Sequence, residues 1–279
     1  MLAGVVGHVD GVPHPLSGAS VSENSDLDVR ELISGSRRVF RAPVPYQTLN
    51  FSWRSDRNSL RHLRDLYTRR WGGAGHFWII SPTMEEDGNI LPMRWSVGHQ
   101  LAHVLDGLGN PKVSGTSATI YGSSAWSYAT AGGWIPSIQF IVEPGKPYWF
   151  GFSGSAKGLN SNNGIVVSGH RIGTAETSWE QLGVFRSSTV QATPVLTKAQ
   201  SVNFDFIRVS ISMPASTSGE LTVNAMELSN IDYSTSEGGT IRPGSGLGAV
   251  QMTSVLDGNI LSNKIDRMGY SADFTEVDV

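Results

Sequence analysis

The strongest constraint on the fold is a series of short, strand-like segments that recur at fairly even intervals between residues 93 and 232. Apolar and polar side chains alternate in several of them, and clusters of Ser, Thr, Gly and Asn separate one segment from the next. This pattern is typical of antiparallel sheets that bury one face of each strand. It predicts an antiparallel β-sandwich, jelly-roll-like, with strands at 118–123, 134–142, 148–153, 165–171, 179–185, 202–213 and 221–229.

Two of these segments show the alternation clearly. Tyr148, Phe150 and Phe152 are expected on one face of their strand. Val202, Phe204 and Phe206 are likewise expected to face one way in theirs. Both sets are therefore predicted to lie in the core.

A helix is predicted before this region. Its apolar side chains recur at three- and four-residue spacing, at Leu60, Leu63, Leu66 and Tyr67. Ser55 or Asn58 can cap its start, and it is expected to continue to about Arg70, where glycines follow. Extended chain is predicted at 38–54 and a buried strand at 77–80. Together these elements predict a compact α+β unit.

The last residues of the chain are too few to build a core of their own. They are expected to return to the first unit, which makes the sandwich an insertion. The predicted organisation is an α+β domain of residues 1–92 plus 240–279, an inserted sandwich at 93–232, and a linker at 233–247 that is rich in Gly and Ser. The fold class is therefore mainly β, with one helix-containing domain. No stretch is apolar for long enough to span a membrane.

Composition excludes several kinds of site. The chain has no cysteine, which rules out disulfides, Cys-ligated zinc and thiol nucleophiles. No nucleophile elbow, phosphate-binding loop or dinucleotide fingerprint is present. His99 and His103 have the spacing of a zinc-binding helix, but Gln100 stands where the general base would be, and Asp106 is the nearest third ligand. We therefore expect no enzyme activity, no metal and no cofactor.

The net charge of −3 conceals a local positive segment. Residues 30–71 hold ten arginines and three acidic residues. Arg57, Arg61 and Arg64 follow helical spacing, which favours a solvated or subunit-facing surface over contact with nucleic acid. These three residues are the candidate subunit interface.

The region 93–232 is rich in aromatic residues, which either pack in the core or bind sugar rings. Trp126, Tyr128 and Trp134 lie in a Gly- and Ser-rich stretch and are the candidates for exposure and glycan binding. The adjacent acidic residues Glu85, Glu86 and Asp87 favour a solvated turn over the paired carboxylates of a glycosidase.

The segments RRVFRAPVPYQTLNFSW and WGGAGHFWIISP, together with PGSGLGAV and the final FTEV, resemble distal-tail-type minor tail proteins of long, non-contractile-tailed phages that infect actinobacteria. The intervening SIQFIVEPGKPYWFGFSGSA and VSISMPASTSGELTVNAMELSN resemble carbohydrate-binding-module-like sandwiches inserted in such proteins.

The resemblance implies a virion protein that is assembled in the host cytoplasm and forms a ring at the tail tip, a hexamer in this family. The implied partners are other copies of the chain, the tail tube, the tape measure and other minor tail proteins, with host cell-wall glycans as an adhesion target. The alternative is a carbohydrate-binding module or glycosidase that acts on cell-wall glycans.

Overall fold

A computed structural model of the 279-residue chain describes most of the residues. Within 20–46 and 257–267 it describes the backbone alone. The described ranges are 1–16, 20–24, 27–31, 37–41, 46–56, 58–71, 76–80, 88–105, 111–122, 136–189, 192–215, 218–231, 241, 244, 246–254, 257–262 and 267–277.

The described chain is mainly β, with several antiparallel sheets and a few short helices, as the sequence predicts. Every strand pair in it is antiparallel. No helix in the described ranges has the length and apolar character needed to cross a bilayer.

The chain divides into two compact units. Unit 1 contains residues 1–11, 78–248 and 279, and unit 2 contains 12–77 and 249–278. Residues 1–11, 78–92 and 240–248, which sequence analysis assigned to the α+β domain, thus belong to the unit that contains the predicted sandwich.

Unit 2 is built on strands from both ends of the chain. They are β3 (Ser20–Asn24), β4 (Leu27–Glu31), β5 (Arg37–Arg41), β6 (Tyr46–Asp56), β17 (Ala249–Met252), β18 (Asp257–Ser262) and β19 (Arg267–Val277), together with the first two residues of β7 (His76–Ile80), whose other residues belong to unit 1. β19 pairs with β6 along one edge and with β17 and β18 along the other. β3 pairs with β6, β4 pairs with β5, and the first residues of β7 pair with β17.

The core of unit 2 is aromatic. Phe51 and Trp53 of β6 are buried against Phe274 of β19, with ring centroids 5.5 and 6.4 Å from that of Phe274. Phe77 contacts Phe274 from the other side, at 6.0 Å. The returning C-terminal strand therefore completes this core.

Helix α1 (Arg61–Tyr67) is shorter than the predicted helix. Neither Ser55 nor Asn58 caps it. Asp56 accepts hydrogen bonds from the backbone N–H groups of Asn58 and Ser59, both at 2.8 Å, and so forms the turn that precedes the helix. The hydrogen bond from the Ser59 hydroxyl, together with these backbone bonds, holds the pKa of the Asp56 carboxyl below its ordinary value. Leu63 and Leu66 bury the apolar face of α1.

Unit 1 contains two larger sheets. Its strands include β1 (Leu2–Val5), β2 (His8–Gly11), β8 (Lys112–Ser114), β9 (Ser117–Tyr121), β10 (Ser137–Ile141), β11 (Tyr148–Lys157), β12 (Gly164–Arg171), β13 (Trp179–Phe185), β14 (Thr193–Leu196), β15 (Phe204–Ser212) and β16 (Glu220–Ser229). Its short helices are α2 (Met93–Ser96), α3 (Gly98–Val104) and α4 (Lys198–Ser201). One sheet has the order β10-β15-β12-β13, and the other β14-β11-β16-β9-β8.

The two sheets of unit 1 share one buried apolar cluster. Phe150 and Phe152 of β11 contribute to it from the five-stranded sheet, and Ile207 and Val209 of β15 from the four-stranded sheet. Tyr148 is buried with them, as the alternation predicts.

The expectation for the strand around residue 204 is wrong. Val202 follows α4 and is 49% exposed. Phe204 lies in the core cluster, whereas Phe206 lies outside it and contacts Trp78. The cause is an irregularity in the pairing of β12 with β15, where Arg171 pairs with Phe204 and His170 with Phe206, so that Asp205 is an extra residue.

The segment interpreted as a linker packs, at its end, within unit 1. The backbone N–H of Gly244 donates to Ser96 Oγ at 2.7 Å, and that of Gly246 donates to the Leu91 carbonyl at 3.1 Å. A Cβ at Gly244 would lie 1.8 Å from the Leu91 carbonyl oxygen. Only glycine allows this close approach.

Candidate functional site

The candidate site is the face of the four-stranded sheet of unit 1 that points away from the core cluster. Because side chains alternate along a strand, the neighbours of the core residues lie on this outer face. Strand pairing places Gln139, Arg208, Ser168 and Gln181 side by side across all four strands. We call these four residues the open row. At the usual strand spacing it is about 14 Å wide.

Arg208 is the charged centre of the open row. Its guanidinium lies 4.1 Å from the ring centroid of Trp179, and its Nε donates to Ser168 Oγ at 3.3 Å. The side chain is partly buried, and burial lowers the pKa of the guanidinium from its ordinary value. An arginine nevertheless stays charged at neutral pH. No carboxylate among the described residues forms an ion pair with it.

Gln139 supplies a second unused group beside Arg208. Its Oε1 is buried and has no hydrogen-bond partner among the described residues. Gln181, at the other end of the row, is exposed. The open row therefore combines the terminal guanidinium donors of Arg208 with the exposed amide of Gln181, next to a flat aromatic ring.

The adjacent row is covered. Ile141, Phe206, His170 and Trp179 pair across the sheet in the next register. Trp78 packs edge-on against Phe206, with ring centroids 5.4 Å apart. Phe206 and His170 are both fully buried. We call this set the covered row.

A buried, hydrogen-bonded pair lies in the covered row. His170 Nδ1 is 2.6 Å from Asp205 Oδ1, and His170 Nε2 is 3.1 Å from the Ala175 carbonyl oxygen. Both nitrogens of the imidazole are thus engaged by oxygen atoms.

Asp205 also holds the hairpin formed by β1 and β2. The backbone N–H of Gly7, in the hairpin turn, donates to Asp205 Oδ2 at 2.8 Å. Gly7 has a φ of +80°, a conformation that glycine adopts without strain. The extra residue in β15 therefore places a carboxylate between His170 and the turn.

This geometry favours binding over catalysis. Both nitrogens of His170 are engaged, and the ring is buried, so it is not positioned as a general base. Ser168 Oγ accepts from Arg208 instead of bonding to an imidazole. The open row offers hydrogen-bonding groups that a ligand can use without any covalent step.

The predicted interface residues are partly described. Arg61 and Arg64 lie on α1 and are exposed, whereas Arg57 lies outside the described residues. Neither described arginine has a side-chain partner within the part of the chain that the structure describes. Arg70, which follows the helix, pairs with Asp65 at 2.8 Å.

The predicted glycan-binding residues Trp126, Tyr128 and Trp134 all lie outside the described residues. The helix that carries His99 and His103 is present as α3, and Asp106 lies outside the described part. In the described ranges no three His, Asp or Glu side chains converge as metal ligands.

Sequence reasoning missed the open row and the buried pair. A signal was present in β12, where Ser168 and His170 alternate with core residues in an otherwise apolar strand. Asp205, which lies between Phe204 and Phe206 in the sequence, was a second signal. Polar groups at alternate positions mark an outer face, and a carboxylate in such a strand requires a partner.

Comparisons with family models, with curated proteins and with solved structures find no match for this chain. The functional argument therefore depends on the geometry of its own residues and on the resemblance of the segments quoted above.

Proposed function

We propose that this chain is a structural component of a phage tail tip, which assembles as a ring that joins the tail tube to the tip. In this proposal unit 2 is the α+β ring domain, and unit 1 is a jelly-roll-like sandwich that assists adhesion to the host surface. The core cluster shared by the two sheets of unit 1 supports the sandwich assignment.

The observation that carries the assembly proposal is the exposed arginine face of α1. Arg61 and Arg64 lie three residues apart on one helix face, with no acidic partner among the described residues. Like charges at this spacing weaken an isolated helix. An acidic surface of a neighbouring subunit would offset that repulsion and give a directional contact, as a ring requires.

Charge reversal tests this contact. The double variant Arg61→Glu/Arg64→Glu is expected to abolish self-association, measured as mass by light scattering and mass photometry over a range of concentrations. The matched control is Lys157→Glu/Lys198→Glu, which makes the same charge change at exposed positions of unit 1. Loss of assembly in both variants, or in neither, would contradict an interface at α1.

The position in the virion tests the assignment itself. Some rings form only on the tail, so the isolated protein can remain monomeric. In that case, antibody labelling of intact phage particles shows where the protein lies. Label is expected at the tail tip. Label along the tail shaft, or on the capsid, would refute the proposal.

A second candidate function is binding of cell-wall glycans without an enzymatic role, by unit 1 alone. The open row favours it, because Arg208 and the exposed Gln181 present donors and an acceptor beside Trp179. Ligand sites commonly combine a flat apolar surface with a few polar groups that fix orientation. Retention of the whole chain on host cell-wall preparations tests this function, and absence of retention would contradict it.

A further inference from the structure

The starting observation is a partly buried cation without a counter-ion. Charged side chains that are removed from water are normally paired, because desolvation disfavours the charged form. Arg208 is desolvated enough for its pKa to fall, and no described carboxylate is near enough to form an ion pair with it. Its planar group is held by Trp179 on one side and by Ser168 at Nε. The terminal nitrogens remain available.

The same sheet shows how this chain treats its other cations. Arg171, on β12, forms an ion pair with Glu180 at 2.7 Å. His170 has the Asp205 carboxylate at 2.6 Å. Arg208 differs from both in having rigid support without a negative partner in the part of the chain that the structure describes. A guanidinium fixed in this way is preorganised to bind a carboxylate or a phosphate through paired hydrogen bonds.

The neighbours of Arg208 indicate more than a simple anion. The exposed amide of Gln181, in the same row, offers a carbonyl oxygen that accepts hydrogen bonds. A carboxylate, or the dianion of a phosphate monoester, has no proton to donate to this oxygen. A hydroxyl group donates to Gln181 while an anionic group on the same molecule accepts from Arg208.

We propose that the open row binds an anionic saccharide, a sugar that carries a carboxylate or a phosphate. The anionic group pairs with Arg208, sugar hydroxyls bond to the exposed amide of Gln181, and Trp179 supports the guanidinium from behind. This inference rests on the second proposed function, glycan binding by unit 1, and names the class of glycan.

Binding of small sugars to the whole chain tests the inference. The probes are glucuronate, a glucose phosphate and glucose, titrated in separate calorimetric experiments at low salt. At least one anionic sugar is expected to bind about tenfold or more tightly than glucose, since a charged hydrogen-bonded pair is stronger than a neutral one. Comparison of glucuronate with the glucose phosphate shows whether the site prefers a carboxylate or a phosphate.

Variants of the central residue locate the site. Arg208→Gln is expected to weaken binding of the anionic sugar by about 10- to 100-fold. Arg208→Lys keeps the charge but loses the planar, paired geometry, so an intermediate loss is expected. The control is Arg171→Gln, which makes the same charge change on the same sheet and leaves binding unchanged. Thermal unfolding of each variant establishes that it is folded.

Several results would overturn the inference. Equal affinity for glucose and for both anionic sugars would overturn it. Full affinity of the Arg208→Gln variant for the anionic sugar would also overturn it. If inorganic phosphate binds as tightly as the glucose phosphate, the sugar does not contribute to binding and the proposal of a saccharide ligand is wrong. If no probe binds while cell-wall preparations still retain the protein, the inference fails and glycan binding stands. If no probe binds and cell-wall preparations do not retain the protein, both the anionic-saccharide inference and the glycan-binding function fail.

Discussion

The covered and open rows of the four-stranded sheet place two basic side chains in very different surroundings. His170 is fully buried and has the Asp205 carboxylate, whereas Arg208 is partly buried and has no ion-pair partner among the described residues. Trp179 contacts both, at 5.7 Å from the His170 ring and 4.1 Å from the Arg208 guanidinium. Among the described residues, the basic side chain that water cannot reach therefore has a carboxylate partner, and the one that solvent can reach has none.

This difference separates a structural role from a binding role. Breaking a buried pair leaves an uncompensated charge and is strongly destabilising. Removing an unpaired, partly desolvated charge has no such consequence. Loss of a polar group should lower the free energy of unfolding strongly in the covered row and hardly at all in the open row. The following changes measure this difference.

The largest effect is expected for Asp205→Ala. It removes the carboxylate that accepts from His170 and from the Gly7 N–H, and should lower the free energy of unfolding by about 3–5 kcal/mol. Urea unfolding followed by fluorescence measures the change. The control Glu180→Ala breaks an exposed pair with Arg171 and should cost less than about 1 kcal/mol. Equal costs for the two variants would contradict a structural role for the buried pair of Asp205 and His170.

A smaller effect is expected for Gly7→Ala, in the hairpin turn that Asp205 holds. The nearest atom to an added Cβ is Glu176 Cγ at 3.9 Å, so the cost comes from the φ of +80° and not from a clash. It should be about 1–2 kcal/mol. Gly11→Ala in the same hairpin meets no atom within 4 Å and has no positive φ, so little change is expected there. Unfolding curves that rank Gly11→Ala as the worse of the two would contradict this account of the turn.

His76 extends the comparison to unit 2. Burial alone lowers the pKa of His76 below its ordinary value of 6.5, which means that the folded state disfavours the protonated form. Below about pH 6.5 the unfolded chain binds a proton that the folded chain resists, so stability falls as the pH falls. The loss should be smaller than about 1 kcal/mol, because the residue is incompletely buried. His76→Asn should flatten this part of the stability curve, and an unchanged slope would show that His76 does not contribute.

The smallest effect is expected for Arg208→Gln. Loss of the contacts with Trp179 and Ser168 is offset by removal of a desolvated charge, so the free energy of unfolding should change by no more than about 0.5 kcal/mol. Chemical denaturation measures it beside the binding experiments above. A loss of several kcal/mol would assign Arg208 to the structure of the sheet instead of to a ligand.

The strands of unit 1 could be predicted because their signal is local. The segment 179–185 is found as β13 with the same bounds, and the predicted strand at 165–171 is found as β12, which begins at Gly164. Alternation also predicted the burial of Tyr148, Phe150 and Phe152. Each of these features follows from neighbouring residues in one strand.

The outer face could not be predicted in the same way. The irregularity at Asp205 reverses the direction of Phe206 relative to Phe204, and nothing in the local pattern reports an extra residue in a strand. The open row also depends on which strands are neighbours, since Gln139 and Arg208 are distant in sequence. The glycan candidates Trp126, Tyr128 and Trp134 and the ring assembly remain predictions.

The position of β19 also sets the order in which the protein can fold during synthesis. β6 emerges from the ribosome early, with Phe51 and Trp53 ready to be buried, but its partner β19 follows about 200 residues later. At ordinary translation rates this interval lasts about 10–40 s. For that time an apolar strand is without its final partner while unit 1 is being made. The yield of native protein should therefore depend on elongation rate and on chaperones that shield nascent chains.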